Sequence, residues 1–215
     1  MTPAARERSQ VRVPMLLVSV VAWILLVIEP HRTMLHAHPI ALPGPTLSSA
    51  WFDLLLAHNP LALLAVGWAL MTAAMMAPLL IAPVRYIRDR SFARRRARSI
   101  ILFVAGYVAI WMAAGALLLS LMLVVRSVAD GSSVAAAIIA AIAVVWQCSP
   151  VKQRCLNRGH AHPELAATGS TADVAVLRFG LTHGLWCVGS CWALMLMPLL
   201  FSGAHLLAMA AVGPC

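Results

Sequence analysis

Long apolar stretches alternate with short segments that hold most of the charged residues. Because about 20 apolar residues in a helix cross a bilayer core of about 30 Å, each long stretch predicts a transmembrane helix. The sequence therefore predicts an all-α fold, a polytopic transmembrane helical bundle with five full spans and a partial or truncated sixth. The predicted full spans are Pro14–Ile28, Leu61–Val84, Ile100–Val125, Ser133–Gln147 and Val174 or Phe179 to Phe201, and the partial one is Ala204–Val212.

The composition excludes an ordinary soluble protein. Hydrophobic residues make up 62% of the chain and charged residues 11%, whereas soluble domains have about 45–50% and about 25%. With so little polar surface available to cover an apolar core, lipid is the expected solvent and the bilayer the expected partner. We predict a short cytoplasmic amino-terminal tail (1–13) followed by a single transmembrane helical domain (14–215).

The positive charges predict the orientation of the chain. Of its 16 Lys and Arg residues, all but Arg32 and Arg126 lie before the first span, between the second and third, or between Cys148 and Arg178. Such alternation between loops follows the positive-inside rule and predicts a cytoplasmic amino terminus. This distribution also explains the net charge of +9, so we expect no nucleic acid partner. Since no small-residue cleavage pattern follows the first apolar run, we expect an uncleaved span.

The fifth span carries the candidate chemistry. His183, Cys187, Cys191 and Met195 are spaced four residues apart. Each step rises about 6 Å and turns about 40° past a full circle, so the four side chains form one slanting stripe. The stripe is about 18 Å long, too long for all four to bind one ion. The spacing predicts two or three metal ligands from this helix, completed by ligands from elsewhere.

Other soft side chains lie at similar depths. Measured from the arginine-rich ends of the spans, Met75 and Met76 of the second span match Cys187, and Met71 matches Cys191. Two further cysteines stand near the same end. Cys148 closes the fourth span, and Cys155 follows in the loop. The candidate ligands therefore gather in the cytoplasmic half of the predicted bundle.

The residue types narrow the choice of metal. Thiolate and thioether sulfur favour Cu(I), while thiolates with imidazole also suit zinc, the alternative. A purely structural role stays open, because cysteine buries well as a small hydrophobe and a histidine can hydrogen-bond between helices. In the same span, Gly180 and Gly184 form a small-xxx-small pair, which predicts close helix packing.

Three stretches resemble a known family when taken in order: Trp68–Pro78, Gln147–Leu156 and Arg178–Met195. Together they resemble a bacterial family of predicted metal-binding integral membrane proteins of unknown function. Two departures, Gly159 and Ser190 at positions where members often have cysteine, favour a mononuclear site over a multinuclear cluster. The resemblance implies metal ligands at Met71, Met75, Met76, Cys155, His183, Cys187, Cys191 and Met195.

The leading hypothesis is a membrane protein that binds or hands on a soft transition metal, copper above all, without chemistry of its own. An accessory or structural subunit of a larger membrane complex, without metal, is the alternative. A membrane thiol oxidoreductase is a weaker one. Such enzymes place a Cys-x-x-Cys pair at a helix start, where the helix dipole activates the thiol, and this sequence has none.

Overall fold

The computed structural model describes residues 3–28, 61–129, 133–165 and 169–200, and every regular element in these ranges is helical. Two short 3-10 turns, Ala77–Leu80 and Ala93–Arg95, lie between helices that follow one another closely. The α-helices are α1 (Pro3–Ile28), α2 (Leu61–Met76), α3 (Ile81–Arg90), α4 (Arg96–Ala129), α5 (Ser133–Gln147), α6 (Pro150–Gly159) and α7 (Gly169–Leu200).

Four helical segments are long and apolar enough to cross a membrane: Ser9–Ile28, Leu64–Arg90, Ala93–Leu121 and Gly169–Leu196. They correspond to four of the five predicted full spans. The fifth, α5, has the predicted bounds, but its 15 residues extend only about 22 Å, short of a bilayer core. The predicted partial span at 204–212 lies outside the described residues.

Two helices differ from the prediction, one in where it begins and the other in its continuity. The first was expected to begin at Pro14, but α1 begins at Pro3 and continues through Pro14. Pro3 stands in the first turn of α1, where the missing N–H of proline costs nothing, whereas Pro14 lies inside the helix. The second span was expected to be one helix, but it tightens into a 3-10 turn at Ala77–Leu80, where Pro78 stands in the first turn.

The segment that carries Cys155 was predicted as a loop, and this was wrong, because it forms α6. Its amino-terminal signal is visible in the sequence. Ser149 caps the helix by accepting a hydrogen bond from the Lys152 N–H at 3.2 Å, and Pro150 occupies the first turn. Cys155 is thereby buried against α7.

Helices α4 and α7 form the closest helix pair of the bundle. A Cβ atom at Gly106 of α4 would lie 2.8 Å from the Leu177 carbonyl oxygen, and one at Gly184 of α7 would lie 3.0 Å from Ile110 Cβ. At Gly180 it would collide with the Phe103 carbonyl. The predicted packing role of Gly180 and Gly184 is therefore confirmed.

An ion-pair cluster fixes the same two helices at their arginine-rich ends. Asp173 of α7 pairs with Arg95 at 2.5 Å and with Arg98 at 2.7 Å. Arg95 also donates to the Gly169 carbonyl at 2.9 Å, at the first residue of α7. These contacts set the register between α4 and α7.

Helices α1 and α2 complete the packing around this pair. The Ser19 hydroxyl of α1 donates to the Ala74 carbonyl at 2.5 Å, and the Trp68 indole N–H of α2 donates to the Trp111 carbonyl of α4 at 2.8 Å. Space for the Trp68 ring exists because residue 115 is glycine. The α1–α2 pair is thus tied to α4 by a buried tryptophan.

Gly180→Ala should destabilise the bundle, because the added methyl group meets the Phe103 main chain, which cannot move aside without shifting α4. We expect the free energy of unfolding to fall by about 1–3 kcal/mol, as for other overpacked interiors. Thermal unfolding in detergent would measure it. In the matched control, Gly159→Ala, the new atom would lie 3.8 Å from Trp186 Cβ, so an equal loss in both variants would contradict the prediction.

Candidate metal centre

The centre of the candidate site is a sulfur pair between two helices. The Cys187 Sγ of α7 lies 3.9 Å from the Met76 Sδ at the end of α2. Helix α2 packs chiefly against α1, and α7 against α4, so the long, flexible Met76 side chain bridges the remaining gap. The structure therefore brings together two residues predicted to share a depth, although 111 positions separate them.

Cys191 stands one turn further along α7 and is buried. The four-residue spacing puts its side chain next to that of Cys187 on the same stripe of the helix. Ser190, between them, donates to the Cys187 carbonyl at 2.8 Å, and its hydroxyl lies 3.4 Å from Cys191 Sγ. Two thiols and one thioether thus face a common region.

Sequence reasoning missed two residues of α4 that border this region, Tyr107 and Trp111. The Tyr107 hydroxyl lies 3.3 Å from Cys187 Sγ. The Trp111 indole N–H has no hydrogen-bond partner of normal geometry, although Tyr107 and Cys187 lie within interaction range of it. In the sequence both look like ordinary apolar positions of a helix, and only the α4–α7 contact turns them toward the thiol.

His183 occupies an aromatic cage one turn from Cys187. Its ring centroid lies 5.8 Å from that of Phe103 and 5.9 Å from those of Tyr107 and Phe179. The side chain also lies near the backbone of Gly159 at the end of α6. His183 therefore lies on the arginine-rich side of the sulfur pair, in contact with rings and main chain.

Met71, Met75 and Met195 are buried in the same apolar core as the sulfur pair, with exposed fractions of 1%, 4% and 0%. They extend the set of soft side chains away from the arginine-rich end. The core that surrounds Cys187 and Met76 is consequently rich in sulfur, and no carboxylate is among the buried side chains of the described residues.

Two predicted ligands are not brought to the sulfur pair. Cys155 packs against Gly189, where a Cβ atom would lie 2.8 Å from its Sγ. Gly189 is two residues, or about 200° of helix rotation, from both Cys187 and Cys191. Cys155 therefore contacts the opposite face of α7. Cys148 is exposed just beyond the end of α5.

Within the described ranges, no three His, Cys, Asp or Glu side chains are close enough together to hold a metal ion. A site built here from the described residues must therefore use methionine sulfur. Such a donor set, two thiols and a thioether, is soft and fits Cu(I) better than a hard cation.

Comparison with known protein families identifies a family for this chain. The model of a family described as PpoB2, copper chaperone, matches residues 65–214. The chain belongs to this copper chaperone family. The match includes the sulfur pair and all of α4 to α7. No curated protein and no solved structure matched the chain.

Membership of the PpoB2 family agrees with the copper-related role expected from the sequence. The metal-binding resemblance pointed to a family of unknown function, and the matched family is one that handles copper. The choice of copper over zinc, made from the soft donor set, is consistent with it.

The four described cysteines should differ in reactivity toward a maleimide in detergent. Cys148 is exposed, whereas Cys155 and Cys191 are buried and Cys187 is partly buried. Because alkylation requires access to the thiol, we expect Cys155 and Cys191 to react about tenfold more slowly than Cys148, or slower still. Peptide mapping by mass spectrometry would measure each rate. Similar rates for Cys148 and Cys191 would contradict the burial described above.

Proposed function

We propose that this protein holds Cu(I) between α2 and α7 and hands it on without chemistry of its own. The observation that carries the proposal is the 3.9 Å separation of Cys187 Sγ and Met76 Sδ. With metal–sulfur bonds of about 2.3 Å, two sulfur ligands of one trigonal or tetrahedral ion lie about 3.8–4.0 Å apart. The pair has the spacing for shared ligation before any rearrangement.

Cys191 is the proposed third ligand, because it follows Cys187 by about one turn on the same stripe of α7. Copper suits this set better than zinc does. A structural zinc site takes four nitrogen, sulfur or oxygen ligands, and the described residues group no three of the usual zinc-binding types. Thioether sulfur from Met76 is, by contrast, an ordinary ligand of Cu(I).

Transfer along the bundle would use the remaining soft side chains. Cys191 and Met195 continue the α7 stripe in steps of about 6 Å, and Met71 and Met75 are a similar step apart on α2. His183 lies one step the other way, toward the arginine-rich end. A weakly held ion can move by exchanging one soft ligand for the next, without a charged side chain on the way.

The proposed setting is a bacterial inner membrane with the amino terminus and the arginine-rich end in the cytoplasm. Support comes from the four segments long and apolar enough to span and from the positive-inside rule. In that orientation, the pair Cys187 and Met76 lies in the cytoplasmic half of the bundle, toward the end marked by Asp173 and its arginines.

Competition with a chromophoric Cu(I) chelator tests the proposal on purified full-length protein. We expect about one Cu(I) per chain, complete loss of binding in Cys187→Ser, and at least about tenfold weaker binding in Met76→Leu, which keeps the volume but removes the sulfur. Cys148→Ser, at an exposed thiol outside the site, is the matched control and should bind as the wild type does.

Stoichiometric Cu(I) binding that persists in the double variant Cys187→Ser, Cys191→Ser would rule the site out. Wild-type protein that binds no Cu(I), yet purifies with partner proteins in fixed ratio, would instead favour the accessory-subunit alternative.

A further inference from the structure

Two side chains of α4 that can donate hydrogen bonds, Tyr107 and Trp111, lie near the Cys187 sulfur. The Tyr107 hydroxyl lies 3.3 Å from it, and the Tyr107 side chain is only 2% exposed. Since Met76 Sδ on the other side of the thiol cannot donate, Tyr107 is the group placed to hydrogen-bond to the sulfur.

Trp111 supplies the second donor, an indole N–H group without a hydrogen-bond acceptor among the described residues. The side chain is fully buried, and its indole N–H has no partner of normal geometry. A buried donor left unpaired costs about 1–3 kcal/mol and calls for an explanation. The N–H lies within interaction range of both Cys187 and Tyr107, so its nearby acceptors belong to the proposed metal centre.

The surroundings hold the Trp111 ring in this place. The main-chain carbonyl of Trp111 accepts a hydrogen bond from the Trp68 indole N–H at 2.8 Å. The centroid of the Trp111 ring lies 6.5 Å from that of Tyr107 and 6.4 Å from that of Trp68. The ring is therefore fixed by packing on two sides, although its own N–H is unpaired.

We propose that Tyr107 and Trp111 are positioning residues that donate hydrogen bonds to the Cys187 sulfur once Cu(I) has replaced its proton. This proposal rests on the proposed function, in which Cys187 is a Cu(I) ligand. Cysteine ligates metals as the thiolate, so binding releases the thiol proton to solvent and leaves an anionic sulfur. An anionic sulfur is a stronger acceptor than a neutral thiol. The Trp111 N–H, unpaired without metal, then gains its partner.

The energetic reason is the apolar surroundings. The side chains of the described core that pack around Cys187 are mainly apolar, aromatic or sulfur-containing, so a thiolate there has little around it that balances its charge. In such a low-dielectric interior each hydrogen bond to the thiolate counts for more than in water. Tyr107 and Trp111 would thus set how tightly the site holds its ion.

The test uses full-length protein and the probe Cu(I) itself, with two readouts. The first is the Cu(I) affinity of Tyr107→Phe and Trp111→Phe, which we expect to be about tenfold weaker, or weaker still, with unchanged stoichiometry, because each variant removes one bond to a charged sulfur. Tyr107→Phe keeps the ring, and thermal unfolding would confirm that both variants fold.

The second readout is the indole N–H vibration in ultraviolet resonance Raman spectra. Cu(I) should shift one tryptophan toward a hydrogen-bonded N–H, and the shift should be missing in Trp111→Phe and in Cys187→Ser. Trp146 is the matched control. Its N–H already donates to the Gly189 carbonyl at 3.1 Å on the opposite face of α7, so Trp146→Phe should keep both the shift and the affinity.

The outcomes separate the two proposals. If the wild type binds Cu(I) through Cys187, but both α4 variants bind as tightly and no indole signal moves, the inference is wrong and the proposed function stands. If the wild type binds no Cu(I), both proposals are wrong.

Discussion

The close approach of α4 and α7 is the constraint on which the rest of the structure depends. It requires glycine at positions 106, 180 and 184, where a Cβ atom would meet the facing helix, and the pairing of Asp173 with two arginines sets its register. Because the backbones meet this closely, the aromatic side chains of α4 reach the cysteine-bearing face of α7. A wider crossing would take the Tyr107 hydroxyl out of reach of Cys187 Sγ.

The second feature is that three helices each contribute side chains to the surroundings of one thiol, that of Cys187. Helix α7 supplies the cysteines, α2 reaches across with Met76 Sδ at 3.9 Å, and α4 supplies donors through Tyr107 and Trp111. None of these side chains carries a formal charge as a neutral group. This suits an apolar bundle, where a charged residue is expensive to bury, and it agrees with membership of a copper chaperone family.

The spans were the easiest part to predict, because about 20 apolar residues in a row have few other structures available. Four of them hold as helices long enough to cross a membrane, and α5 has the predicted bounds at a shorter length. Helix α6 was missed although Ser149-Pro150 signals its start, because its composition is that of a polar loop. The start of α1 was placed too late because the prediction followed hydrophobicity, whereas a helix continues through charged residues with good helix propensity.

The sequence by itself determined that the chain is apolar and that the long apolar stretches within the described residues are helical. It also determined that His183, Cys187, Cys191 and Met195 share one stripe, since helix periodicity alone decides which residues share a face. The tertiary structure decided what that stripe meets. It put Met76 beside Cys187, turned Cys155 to the opposite face of α7 through Gly189, and brought Tyr107 to the thiol at 3.3 Å. The physical reason is that the neighbours of a helix face come from segments about 40 to 110 residues away in sequence, and only the packing of whole helices selects them.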